Sequence, residues 1–493
     1  MAPYFLRNLI PRREKTVDSL TLWAAIRSLT LIQWAMFWAG VLAWTCDAID
    51  FFSVSLSVTA LSTQFGKNTS DITTSITLTL LFRSVGALIF GLLSDRFGRK
   101  WPLVFNLLFC CVFEIGTGFV TTFSQFLALR SIFGIAMGGI WGLASATALE
   151  SLPVELRGLA SGVLQEGYAV GYLIAAVINL FLVPKTSHGW RALFWTAGGI
   201  SFFAAAVRAV LPESQVFIRA RAAAKASGMQ TSRKTKVFVR ETGHMLRIHW
   251  KLWIYAVLLM SGFNFLSHGS QDLYPTYMEK TKGFSVHDAT VATIIGNCGA
   301  VAGGIMAGAA SQYLGRRLTI VIFILLIGAF IPLWILPSSF SGLAAGAFCI
   351  QVGVQGAWGV IPIFLAELSP PAFRALFPGL AYQLGNMVSS ASAQIEATGG
   401  EHQTTTLNGK VIPDYAKVCK VQGIFIGCVA AFTLFMTIIG PEHHGSHFEK
   451  HKTAFEEGGG DDSAIIDEDG ENSARTPDSS SMAEKPRLTT ETA

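Results

Sequence analysis

Apolar residues run through this chain in blocks of about 20, separated by short polar breaks, from Gln33 to the neighbourhood of Gly440. A block of that length crosses the hydrocarbon core of a bilayer as one helix, because a helix satisfies its own backbone where water is absent. Twelve blocks read as spans: 33 to 61, 72 to 94, 101 to 121, 126 to 150, 158 to 182, 190 to 211, 252 to 277, 289 to 311, 318 to 337, 341 to 366, 374 to 396 and 418 to 440. The pattern predicts an all-α membrane protein, and the even number of spans puts both ends on one side. The remaining pieces are an N-terminal segment 1–32, a linker 212–251 between the helical blocks 33–211 and 252–440, and a tail 441–493.

Composition agrees with the pattern, since 51% hydrophobic residues, 14% charged residues and a mean hydropathy of +0.47 exceed what a water-facing surface tolerates. The first 32 residues carry Arg7, Arg12, Arg13, Lys15 and Arg27 without a long apolar run. A cleavable signal peptide is therefore not expected, and the first span is left as the targeting signal. The linker between Glu213 and Lys251 holds nine Lys and Arg against two Glu, which places it and both termini in the cytoplasm. Asn68-Thr69-Ser70 then faces outside as a candidate glycosylation sequon. The net charge of +5 concerns topology, and no nucleic-acid partner is expected. The seven cysteines lack metal or disulfide spacing and read as small buried hydrophobes. From Pro441 the chain turns to Gly, Ser, Asp and Glu, which reads as a disordered acidic tail, either inert or open to regulatory proteins.

The halves repeat. Gly91-Leu-Leu-Ser94-Asp95-Arg96-Phe-Gly98-Arg99-Lys100 after the second span and Gly308-Ala-Ala-Ser311-Gln312-Tyr313-Leu-Gly315-Arg316-Arg317 after the eighth stand 217 positions apart. The same offset aligns Glu150-x-x-Pro153-x-x-x-Arg157 with Glu367-x-x-Pro370-x-x-x-Arg374, Trp141 with Trp358, and Gly142 with Gly359. Six spans per copy means that the copies are two six-helix bundles inserted in the same orientation. The first of these loops resembles the signature loop of the major facilitator superfamily over residues 33 to 440. That resemblance implies a central cavity, alternating access, and a gating role on the cytoplasmic face for Gly91, Asp95, Arg96, Gly98 and Arg99.

Ionisable groups at membrane depth cost on the order of 3 kcal/mol each, so those present call for a partner, a wet cavity or a role. The seventh span carries Asn264, Ser267, His268, Gln271, Asp272 and Thr276 at helical spacing, so all six share one face. His268 and Asp272 are four apart and close enough to meet, and together they make a titratable pair. The stripe either faces a cavity or knits the helix to its neighbours. With Ser270, it resembles the seventh-helix signature of the fungal Jen-type carboxylate:proton symporters. The resemblance implies import of short-chain monocarboxylates such as lactate, pyruvate or acetate, or of dicarboxylates, across the plasma membrane. The proton is the coupling ion, His268 and Asp272 are its site, and no other cofactor is expected.

Further residues suit a carboxylate. Arg83 in the second span has the planar fork for bidentate binding, or else it pairs with Asp47, Asp50, Glu114 or Glu166. Arg130 reads as structural. Gln383 and Asn386 in the eleventh span share a face and resemble the substrate-facing pair of the same family, with helix packing as the alternative. Asn264, Ser267, Ser270, Gln271 and Thr276 complete the expected substrate site. An aromatic that sorts substrates is not placed among Tyr168, Val170 and Tyr172. Leu211-Pro212-Glu213-Ser214 resembles the end of the first half in sugar porters, so a proton-coupled sugar or other solute porter stays open, as does a transporter-like nutrient sensor. Phosphate-loop, zinc and nucleophile motifs are missing from the sequence, which argues against an enzyme.

Overall fold

The computed structural model describes residues 21–214, 217–219, 221–222, 231–392, 394–395, 398, 404–407, 410–413 and 415–442. The expectations for most of the N-terminal segment and for the tail beyond Glu442 fall outside the described residues.

Among the described residues, eleven helices are long and apolar enough to cross a membrane: Leu31–Phe65, Thr69–Phe97, Lys100–Thr117, Phe123–Leu149, Val154–Lys185, Arg191–Val210, Trp250–Glu279, Val286–Leu314, Arg316–Ile335, Phe340–Leu368 and Val421–Ile439. The stretch expected as the eleventh span holds the continuous helix Leu376–Ser389, 14 residues that fall short of a crossing by themselves. Below, the spans keep their order in the chain, with Leu376–Ser389 as the eleventh. The molecule is nearly all helical. Among the described residues the exception, absent from the sequence reading, is an antiparallel hairpin of Thr404–Leu407 and Lys410–Pro413 between the last two spans.

The surface is inverted relative to a water-soluble protein. Val85, Phe105, Val112, Phe202, Leu325 and Phe435 are exposed, whereas Asp47, Asp50, Arg83, Glu114 and Arg130 are sealed inside. That is the arrangement a lipid solvent selects. Cys46, Cys110 and Cys111 are buried as expected, but Cys298 and Cys428 lie on the exposed belt.

Several spans break at mid-depth. The fourth is interrupted after Met137, the fifth at Glu166, the seventh after Gln271 and the tenth at Val360. Freed backbone groups at such breaks are tolerated only inside the protein or beside a cavity, so the breaks mark the interior.

Close crossings depend on glycine. A Cβ at Gly86 would overlap the carbonyl oxygen of Ile135, and one at Gly138 would overlap that of Arg83, so the second and fourth spans meet backbone to backbone. Gly86→Val is expected to abolish the monodisperse peak in size-exclusion chromatography, since helical carbonyls cannot retreat as a side chain can. Gly199→Val, where the added group meets open space, should keep that peak.

Candidate functional site

The gate expected from the signature loop is assembled from residues far apart in sequence. Gly98 has φ 112° and Gly315 φ 89°, a conformation that side chains rarely adopt, and each lets the chain turn sharply out of its span. Beyond Gly98, Arg99 bonds Asp95, Ser94 Oγ at 3.0 Å and Glu150 at 2.8 Å. In the second copy Arg316 bonds Ser311 Oγ at 3.0 Å and Glu367 at 2.9 Å. Burial works against the Arg99 charge, but Glu150 and Asp95 raise its pKa above the ordinary range.

Each loop is also capped from behind. The Glu213 carboxylate accepts from the backbone N–H of Arg99 at 2.9 Å and Lys100 at 3.2 Å, and Glu442 accepts from Arg316 at 2.6 Å and Arg317 at 3.2 Å. Negative charge at a helix start is favourable there. The matching Pro212-Glu213 and Pro441-Glu442 dipeptides were the missed sequence signal, hidden because the second follows a longer connection. Arg96 bonds Thr235 on the linker helix Thr231–Ile248.

On this basic face the bundles touch. Asp95 Oδ2 accepts from Leu376 N–H at 3.0 Å, Gln312 Oε1 accepts from Gly158 N–H at 3.2 Å, and Ser161 Oγ donates to Gly359 O at 2.9 Å. Gly91 lies directly against Leu376. The structure therefore has the basic face closed.

In the middle of the molecule the seventh and eleventh spans are joined by a relay. His268 Nδ1 lies 2.9 Å from Asp272 Oδ2, and His268 Nε2 lies 2.9 Å from Asn386 Oδ1. Asn386 Nδ2 donates to Gln383 Oε1 at 2.6 Å. Both ring nitrogens thus face oxygen acceptors, whereas a neutral imidazole has one donor. The set closes with an imidazolium beside a carboxylate, or with a neutral ring beside a protonated Asp272. Asp272 Oδ1 and Gln383 Nε2 stay unsatisfied, so the relay has spare capacity at both ends.

Other expected residues divide. Ser267 donates to Gln271 at 3.2 Å, Gln271 donates to Gln351 at 2.7 Å, and Gln351 donates to Ser270 at 3.2 Å. Gln271, Ser270 and Gln351 line a small cavity with Tyr172, Asn297 and Trp334. Gln351, on the tenth span, was missed by sequence reasoning; its signal was an amide in an apolar stretch. Asn264 turns away, donating to Met260 O and Tyr382 O, and so knits the seventh span to the eleventh. The continuous helix ends at Gln271, and Thr276 sits half-buried beyond it in the separate turn Tyr274–Thr276, where Pro275 has no N–H to carry the helical ladder on.

Arg83 is engaged by Asp47 at 2.7 Å, one of the partners foreseen, with Nε and Asp47 Oδ1 left unsatisfied. Its guanidinium lies 5.9 Å from the Tyr382 ring, which also packs on Trp44, Trp141 and Trp358. Phe51 reaches His268 from the first bundle at 5.6 Å between ring centres. The relay and the Arg83 pair therefore flank one aromatic plug on the seam between the bundles. Arg130 is structural in the sense expected, but fully buried and paired with Glu114 at 2.7 Å.

Comparisons with known proteins agree with this architecture. The model of the family described as "Sugar (and other) transporter" matches residues 20–455. A Saccharomyces cerevisiae carboxylic acid transporter protein homolog is 38% identical over 432 residues, 85% of this chain and 69% of that one. A cis,cis-muconate transport protein of Acinetobacter baylyi is 26% identical over 366 residues, 73% of this chain and 86% of that one. In fold, the chain matches the partially occluded inward-open xylose transporter XylE of E. coli with a TM-score of 0.63 at 18% identity, over 85% of this chain and 100% of that one. A duplicated bundle with a matching pair of ionic cages, polar groups on its seam and these relatives leads to one assignment: the chain is a multi-pass membrane transporter that belongs to the sugar (and other) transporter family of the major facilitator superfamily, with a Jen-type carboxylate transporter likeness.

Proposed function

We propose that this transporter imports short-chain carboxylates together with protons across the plasma membrane, with both termini in the cytoplasm and the basic face as its inner gate. The observation that carries the reading is the Asp272–His268–Asn386–Gln383 relay, whose hydrogen bonds close when the His268–Asp272 pair holds an added proton. One end of that relay is the His268–Asp272 pair, and the other presents the buried amides of Gln383 and Asn386 on the helix that carries Tyr382, whose ring lies 5.9 Å from the Arg83 guanidinium. In the proposed cycle a proton loads the pair from outside. A carboxylate then draws on the unsatisfied Gln383 Nε2 and on Arg83, in exchange for part of its bond to Asp47. The added proton offsets the charge of the carboxylate, so the loaded site carries no more net charge than the empty one and the bundles can rock, since an additional unpaired charge in a closing dry seam is unfavourable. The two relatives above support the substrate class, because one is named for carboxylic acids and muconate is itself a dicarboxylate.

A second reading has its own observation. The cavity that Ser270, Gln271, Gln351 and Asn297 share with Tyr172, Tyr274 and Trp334 is mainly apolar with uncharged amides and hydroxyls set into it, a lining that suits a neutral hydroxyl-rich solute such as a sugar. One experiment separates the two. In cells lacking their own carriers, labelled lactate uptake at pH 5 and 7 is challenged with pyruvate, acetate, succinate, malate and xylose. The expected result is uptake several-fold faster at pH 5 and competition by acids alone. Competition by xylose with indifference to acids would overturn the carboxylate reading.

A further inference from the structure

Glu166 takes no part in the ion pairs or relays above. It stands at the break in the fifth span, between Arg157–Gln165 and Gly167–Phe181, and is 3% exposed. Neither carboxyl oxygen has a hydrogen-bond partner among the described residues. The carboxyl lies so close to Gly304 of the eighth span that a Cβ there would overlap Oε1. One turn toward the basic face, Gly158 and Gly162 meet the backbone of Gly304 and Gly308, and Gly359 of the tenth span meets Gly304 as well. The acid is wedged into the seam that has to part when the basic face opens.

Among the described residues no charged side chain faces it from the spans packed around it. On the first span Asp47 is held by Arg83 and Asp50 by Ser201; on the tenth, Glu367 is held by Arg316. On the eighth, His287 and Asp288 sit in the first turn, at the opposite face, and Cys298 is exposed on the outside. The repeat adds a second observation. Gln383 follows Glu166 by 217 positions, as Gly308 follows Gly91, so the two are equivalent. The second copy uses this position in the relay to His268. The first copy puts a titratable acid there.

A carboxylate without counter-ion or donor is costly in such a seam, whereas the protonated acid is neutral. Parting the seam admits water and favours ionisation. We infer that Glu166 is a second proton-binding group, loaded while the basic face is closed and unloaded when it opens, so that pH on that side sets the conformational balance of the empty transporter. The open form gains as pH rises and the closed form as pH falls. The inference rests on the alternating-access reading, but on neither the substrate nor His268.

The test uses the full chain in lipid nanodiscs without substrate. Spin labels on the basic-face ends of the two bundles report opening between pH 5 and 8, in a background with the native cysteines replaced. The wild type is expected to shift toward the open form by about tenfold per pH unit across its transition, as one linked proton requires. Glu166→Gln should lose that step and stay closed, and Glu166→Asp should keep it. Infrared spectra at low pH should contain the carbonyl band of a buried protonated acid that the Gln variant lacks. A Gln variant that titrates like the wild type, or identical carbonyl bands in the two proteins, would overturn the assignment. Should the Gln variant fail to fold, the Asp variant carries the test: it has to keep the step with a displaced band, and an unmoved band overturns the idea. Because no solute is added, the outcome does not depend on whether the cargo is a carboxylate.

Discussion

Replacing Asp272 by Asn is expected to abolish uphill uptake while leaving downhill exchange of the same solute. The change keeps size and shape and removes one titratable oxygen from the pair with His268, which sits 2.9 Å away on the same helix face. Without that carboxyl, a neutral His268 is satisfied by the amides on either side, and no proton has to travel with the substrate. For one proton per substrate, each pH unit of gradient supports about tenfold accumulation, equivalent to about 1.4 kcal/mol. A gradient of two units should therefore give the wild type about a hundredfold accumulation, and the Asn variant about none. Reconstituted vesicles with an imposed pH gradient measure this directly. Persistence of accumulation would remove the pair from the coupling mechanism, though not the fold or the gate.

The second large effect is expected at the gate. Arg99→Ala leaves Asp95 and Glu150 facing each other with their common cation gone, and Asp95 is fully buried. Removing one member of such a buried ionic cluster typically costs about 3–5 kcal/mol, because the remaining charges stay uncompensated. The closed basic face would lose about two to four orders of magnitude in population relative to the open one, and uptake should fall at least about tenfold. Arg99→Lys keeps the charge but not the planar fork that reaches both acids, and should retain part of the activity. Initial uptake rates, normalised to protein at the cell surface, test both. Full activity in the Ala variant would show that closure does not depend on this cage, and that the contacts of Gly91, Ser161 and Gln312 suffice.

Much of this arrangement was legible because membrane solvent makes sequence unusually explicit. A span needs continuous apolar length, so the helices could be read directly, and duplication made the gate visible twice in register. The His268–Asp272 contact was readable because four residues make one helical step. Short or broken elements were not legible. The eleventh span was read as 374 to 396, whereas the continuous helix described there covers Leu376–Ser389, and the hairpin Thr404–Leu407 with Lys410–Pro413 was not foreseen. Thr276 was placed by reading one helix through Pro275, whereas the continuous helix ends at Gln271 and a separate turn begins at Tyr274.

Local spacing along one helix, the hydrophobic length of each span and the 217-residue repeat belong to the sequence alone, since each depends on near neighbours or on self-comparison. Which distant groups meet was decided by packing: Arg83 with Asp47, His268 with Asn386, Gln271 with Gln351, and Glu213 and Glu442 behind the two loops. A buried polar atom takes whatever partner the crossing of its helix brings within about 3 Å. That choice depends on glycine contacts and helix breaks, which no periodicity records, and it left Glu166 facing a glycine where its equivalent in the other bundle found a partner.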